Sequence, residues 1–334
     1  MPILDVGYRN WEGQRTPRWT RAAIVASTGI HLVWQGTWLK RVLLFMVVPA
    51  AVAAFIVGTF EQTIERPEAQ SALKGAFRSP AVKQAAKARD IDLATVLDEP
   101  ETLRHFSWSY VLFGLLRYPQ SIGMIVLIGL VAPRLISYDL RSRGYLLYLS
   151  RPLTPLEYVL GKAGIVYFLL FMMSAVPALL VYVVGLFLST DPWAISHTWD
   201  LPLRILAAAL VLILPTTAVA LALSSLTQES RFAGFAWFAI WVLGSIAFRI
   251  LWAAEQARNG GFGSRGRRIR MEEMENFSSW MLLSPYDTLG NVQQQIFGLV
   301  PKEAAAWSPW VLLAVVSIIG YTIAYRRVAG MLKA

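Results

Sequence analysis

Five stretches of this chain, 42–60, 163–190, 205–228, 232–248 and 304–325, contain no Asp, Glu, Lys or Arg. Each approaches the roughly 20 apolar residues that a helix needs to cross about 30 Å of hydrocarbon. A sixth run, 118–133, is shorter and charge-free, with Arg117 before it and Arg134 after it. It predicts a span whose two arginines snorkel toward opposite interfaces. In lipid every backbone polar group must be satisfied within the segment, so runs of this length predict helices. Pro49, Pro177 and Pro215 fall inside them and predict bends.

Composition agrees with lipid as the solvent. Of the 334 residues 56% are apolar and 16% charged, against about 45–50% and about 25% in soluble domains. With no cysteine, thiolate chemistry and cysteine-ligated metals are excluded, and His31, His105 and His197 stand too far apart for a sequence-local metal motif. The net charge of +10 points to anionic headgroups and orientation signals rather than to nucleic acid, since no soluble basic domain is visible. The N-terminal stretch is polar and lacks the apolar core of a signal peptide.

The expected architecture is all-α: a polytopic membrane protein of six transmembrane helices, near 42–60, 118–136, 163–188, 204–226, 232–252 and 306–326. A cytoplasmic N-terminus and an amphipathic interfacial helix precede them within 1–41. Ser27, His31 and Gln35 recur every four residues there, and Ile30, Trp34 and Trp38 make a parallel apolar stripe with Trp at headgroup level. Two long extracytoplasmic insertions, 61–109 and 253–303, complete the chain. In the first, Ser79-Pro80 predicts a helix start and Pro100 a helix end. In the second, the Gly-rich run 259–266 predicts a loop, and Ser284-Pro285-Tyr286-Asp287 the start of a short helix. Whole-loop counts of Lys and Arg are nearly level, but the short loop 134–162 holds five and the short loop 191–202 none. Both termini are therefore expected in the cytoplasm.

The segment 137–162 is the most informative polar stretch. Asp139, Arg141 and Arg143 stand beside the apolar-aromatic run that contains Tyr145, Leu146 and Leu149, followed by Arg151 and Pro152. Thr154, Pro155 and Glu157 then form a capping box with proline at the first helical position, and the new helix passes Gly161 and Lys162 into the membrane. A short surface helix with aliphatic and aromatic knobs suits docking into a groove of a soluble partner. An interfacial loop with its leucines in lipid is the plainer alternative.

With its Leu-Leu-x-Leu-Ser-Arg-Pro-Leu core, a Glu a few positions on and a closing Gly-Lys, this segment resembles the second cytoplasmic segment of the ABC type-2 exporter permeases, including the permease of nitrous oxide reductase maturation. The resemblance implies a permease subunit of an ATP-driven exporter whose segment 137–162 couples to a separate cytoplasmic ATPase. It further implies a second permease copy or paralogue, and residence in the cytoplasmic (inner) membrane. Asp139, Arg141, Arg143 and Arg151 would orient the docking, with Tyr145, Leu146 and Leu149 in the groove. No cofactor is expected on this chain, with ATP and Mg held by the partner: the sequence has no G-x-x-x-x-G-K-[ST] loop. A scaffold or mechanotransmission subunit binding an extracytoplasmic protein through the insertions is a second reading. An ion-coupled carrier is a third, disfavoured by spans without ionisable interiors.

Overall fold

The structure, a computed structural model, describes residues 17, 20–64, 100–144, 153–189, 191, 193–258, 279–300 and 305–331. The helix start at Ser79-Pro80, the loop 259–266 and the segment 145–152 lie outside the described residues. Ten α-helices are described in chain order: α1 (Thr20–Trp34), α2 (Thr37–Ile64), α3 (Pro100–Leu115), α4 (Ser121–Arg141), α5 (Pro155–Leu188), α6 (Ala194–Thr198), α7 (Leu201–Leu226), α8 (Ser230–Arg258), α9 (Pro285–Ile296) and α10 (Ser308–Met331). A π-helical turn, Leu116–Gln120, joins α3 to α4, and a 3-10 turn, Ser279–Leu283, precedes α9.

Six helices are long and apolar enough to cross a membrane: Thr37–Ile64, Glu101–Arg141, Pro155–Leu188, Ala194–Leu226, Ser230–Glu255 and Ser308–Gly330. The second and fourth form the centre, buried along 67% of their most apolar window, whereas the first, fifth and sixth reach at most 22% and leave apolar faces outward. Such faces, carrying Phe45, Val48, Val52 and Phe55 on α2 or Phe235, Val242 and Leu243 on α8, are stable only against lipid or another apolar surface.

Every span but the last starts earlier than its charge-free run. The span expected near 118–136 already begins near residue 101, and Pro100 starts this helix rather than ending one. Proline fits a first helical turn because the N–H it lacks would be unbonded there anyway. The parts of 61–109 adjoining the membrane are thus helical, α2 running on to Ile64 and α3 from Pro100. These added turns carry charges, several of which the bundle buries in pairs, Glu61 with Arg104 and Asp139 with Lys162.

The N-terminal element is also shorter than expected. Helix α1 stops at Trp34, the Gly36 N–H bonds to the Val33 carbonyl at 3.1 Å, and α2 begins at Thr37. Gln35 therefore sits in a turn and Trp38 on the first span, so Ile30, Trp34 and Trp38 do not share one helix. His31 and Gln35 are exposed and lie 3.1 Å apart through Nε2 atoms. The face of α1 that packs is the small-residue one, Ala22, Val25, Ala26 and Gly29, against the start of α5. Ile30 and Val33 add to the main core, and Trp34 meets Phe168 edge-on at 6.2 Å.

Candidate functional site

The residues flanking 145–152, between α4 and α5, form a buried polar clamp. Asp139, in the last turn of α4, accepts from Tyr158 Oη at 2.6 Å and pairs with Lys162 Nζ at 2.8 Å. The side chains of Lys162 and Asp139 are only 9% and 14% exposed, and the ammonium stands 5.5 Å over the Tyr158 ring. Tyr158 and Lys162 are one turn apart, which puts both on the face of α5 that meets α4. The clamp thus holds together the two spans on either side of 145–152.

Around it, local chemistry fixes the chain. Thr154 Oγ1 accepts from the Glu157 N–H at 3.3 Å while Glu157 Oε2 accepts from the Thr154 N–H at 2.7 Å, a complete capping box with Pro155 at the first position. Arg143 adopts a left-handed backbone, φ 54°, which ends α4. Arg141 reaches Glu229 at 3.5 Å across to the start of α8, both exposed. Gly161 is where α1 crosses α5: a Cβ there would lie 2.6 Å from Val25 Cβ and 3.0 Å from the Ala22 carbonyl. Tyr145, Leu146, Leu149, Arg151 and Pro152 lie outside the described residues.

One element escaped sequence reasoning altogether. Ser224 of α7 inserts its hydroxyl into the α4 ladder, donating to the Pro133 carbonyl at 3.0 Å and accepting from the Ile136 and Ser137 N–H groups at 3.0 and 3.1 Å. Ser137 Oγ returns a bond to the Ser224 carbonyl at 2.7 Å. A side chain inserted into the helical ladder locally bends it, two turns before Asp139.

The opposite end of the bundle holds a second charged network. Glu61, fully buried, accepts from Arg104 Nε at 3.0 Å, Trp108 Nε1 at 3.0 Å and Ser189 Oγ at 2.9 Å, while Arg104 Nη1 reaches Asp191 at 2.6 Å. His105 and Arg204 share Asp200 at 2.8 and 2.6 Å. Arg117, expected to snorkel, instead donates to the Tyr286 carbonyl at 2.6 Å and to Asp287 at 2.8 Å, and lies 3.6 Å over the Tyr286 ring. Burial pushes the Tyr286 phenol above its ordinary value, opposed by the Arg117 guanidinium. It stays a donor, to the Arg117 carbonyl at 3.2 Å. Ser284 caps α9 as its sequence predicts, accepting from the Asp287 N–H at 3.3 Å. For Arg117 pairing replaces snorkelling, because an acid distant in sequence, Asp287, stands within reach, while Arg204 pairs with Asp200 one turn before it. Arg134 and Arg249 remain exposed.

A bundle of six apolar spans is the arrangement expected from the resemblance. Residues 35–329 match the family model described as ABC-2 family transporter protein. The chain belongs to this ABC-2 family. It is a multi-pass membrane protein and the permease part of an ABC transporter. The match is to the family as a whole and does not single out the nitrous oxide reductase maturation permease. No curated protein sequence matches the chain. The family match of this ABC-2 permease runs from the first span into the last turn of the sixth, and α1 precedes it entirely.

Proposed function

We propose that this permease couples ATP hydrolysis on a separate cytoplasmic ATPase to export, through the segment between α4 and α5. The observation that carries the reading is the Asp139–Tyr158–Lys162 clamp. A force applied to 145–152 is delivered to two spans that a buried ion pair holds as one body. Leu146, Tyr145 and Leu149 fill the partner's groove in this reading, with Arg141, Arg143 and Arg151 setting its orientation, while Asp139, engaged in the clamp, joins the two spans behind them. ATP and Mg belong to the partner, and two permeases stand on two ATPases.

The clamp end is placed in the cytoplasm, with both termini there, in the inner membrane. Charge supports this orientation. Lys40, Arg41, Arg134, Arg141, Arg143, Arg231, Arg326 and Arg327 are exposed at that end, whereas its acids Asp139, Glu157 and Glu229 are all engaged. Excess Lys and Arg beside spans marks the cytoplasmic side.

Leu146→Glu places a charge on the proposed docking knob. Purified with its co-purifying ATPase, the variant is expected to bind and stimulate the ATPase poorly while keeping its monodispersity. Stimulation equal to wild type would refute docking through this segment, and a complex lacking any ATPase would turn the function toward a scaffold or an ion-coupled carrier.

A further inference from the structure

Two neighbouring helices carry exposed arginines at one level of the bundle. On α4 the exposed side chains Ile122, Val126, Leu130, Arg134 and Tyr138 follow at four-residue intervals. One stripe of the helix therefore turns from apolar to basic toward the clamp end. Arg134 stands 17 residues beyond Arg117, about 25 Å of helix at about 1.5 Å per residue, which brings it to the edge of the hydrocarbon. On α8 the exposed residues at the helix start are Arg231, Phe232 and Phe235. The helices touch here, since a Cβ on Gly234 would stand 3.6 Å from Pro133 Cγ.

The charges in this corner do not balance. Arg141 and Arg231 approach the same oxygen, Glu229 Oε2, at 3.5 and 3.8 Å, with side chains 67% and 85% exposed. Those distances are long for charge-assisted bonds. Arg134 adds a third positive charge, and the nearby Asp139 is already held by Lys162 and Tyr158. Two guanidiniums thus share one carboxylate, with a third exposed on α4, directly above an apolar and aromatic lipid-facing surface.

We propose that this α4–α8 corner binds the phosphate headgroup of an anionic phospholipid, with the acyl chains lying along Leu130, Phe232 and Phe235. Charge selects this occupant over a second copy of the chain. A two-fold contact here would set the three arginines against the same three, a costly juxtaposition, whereas a phospholipid brings a negative head and an apolar tail in the same vertical order as the protein surface. The proposal does not depend on coupling to an ATPase.

The test uses the full-length permease in neutral detergent, titrated with phosphatidylglycerol, phosphatidylcholine or inorganic phosphate, with bound lipid read by native mass spectrometry and stability by thermal melting. Wild type is expected to retain phosphatidylglycerol over phosphatidylcholine. The R134Q/R231Q variant should bind phosphatidylglycerol about 30-fold more weakly, at roughly a factor of five per arginine near an anionic headgroup. R326Q/R327Q, which removes two exposed arginines of the same end on α10, should leave binding unchanged. If the double variant aggregates, Arg231→Gln alone carries the test, with about a fivefold loss. Equal retention of both lipids, an equal loss in R326Q/R327Q, unchanged binding in the α4–α8 variants, or stabilisation by inorganic phosphate alone to the same extent would each overturn the proposal.

Discussion

Asp139→Ala tests whether the clamp is the rigid joint that coupling requires. The substitution leaves the Lys162 ammonium, 9% exposed, without its carboxylate, and the Tyr158 hydroxyl without its acceptor. Removing one partner of a buried pair costs about 3–5 kcal/mol, because the remaining charge stays out of water. Lys162→Met is expected to cost less, since the Asp139 carboxylate keeps its bond from Tyr158 and is the more exposed partner. In the double variant the stranded charge disappears, so what remains is the unpaired tyrosine hydroxyl, about 1–3 kcal/mol. The coupling in a double-mutant cycle is therefore expected at about 2 kcal/mol or more. The assay is reversible unfolding of the permease from mixed micelles into sodium dodecyl sulfate, followed by tryptophan fluorescence, which 13 Trp residues make sensitive. Raising the salt should leave the coupling nearly unchanged, because buried pairs are weakly screened. The exposed Arg141–Glu229 pair provides the contrast, and its coupling should fade. A cost below about 1 kcal/mol for Asp139→Ala, or strict additivity of the two substitutions, is the range measured for exposed pairs and would refute a buried clamp.

Glu61→Gln should destabilise the permease by about 3 kcal/mol, the low end for a broken buried pair, because Asp191 still holds Arg104 at 2.6 Å; a thermal melt within about 0.5 kcal/mol of wild type, as at an ordinary surface site, would show that the network is not structural. Gly161→Val should force α1 off α5. Overpacking at this crossing should cost about 1–3 kcal/mol in a thermal melt, whereas Gly330→Val, where a Cβ meets nothing within 4 Å, should cost less; equal melting of the two variants would contradict the close crossing.

What could be read from the sequence was whatever is local along it. The six spans follow from charge-free runs, and the two helix starts follow from partners three residues apart, Thr154 with Glu157 and Ser284 with Asp287. The span ends near 61 and 104 could not be read, because the turns that extend them hold Glu61 and Arg104, which look like loop residues until their partners are known. Those partners lie 43 residues away for Arg104 and Glu61, and 87 for Arg104 and Asp191. Arg117 was assigned to lipid for the same reason, its acid lying 170 residues on. Ser224 gave no signal at all, since a serine in an apolar run reads as tolerated polarity until Pro133 is set opposite it. Gly161-Lys162 reads in the sequence only as part of a capped helix entering the membrane and as the close of the family motif. Its physical basis is now two separate demands, close passage of α1 over Gly161 and a cation for Asp139 at Lys162.

These demands converge on α5, and that constrains how motion can cross the membrane in the proposed coupling. The helix has 34 residues, about 50 Å at about 1.5 Å per residue. Its first turns hold the cap, Tyr158, Gly161 and Lys162. Tyr167 meets Tyr321 of α10 hydroxyl to hydroxyl at 2.6 Å. At its far end Ser189 donates to Glu61, and Gly185 lies where a Cβ would stand 2.9 Å from Val57 and 3.0 Å from Trp108. A displacement entering at Thr154 therefore reaches the Glu61 network through one continuous element, with Pro177 the interior position where a bend costs least. It follows that docking and transmission are separable. Leu146→Glu removes the contact that receives the push, and stimulation of the ATPase falls. Asp139→Ala leaves that contact in place but frees α4 from α5, so hydrolysis is expected to continue while movement of cargo falls. If both variants lose stimulation together, the clamp shapes the docking surface itself and does not act as a joint behind it.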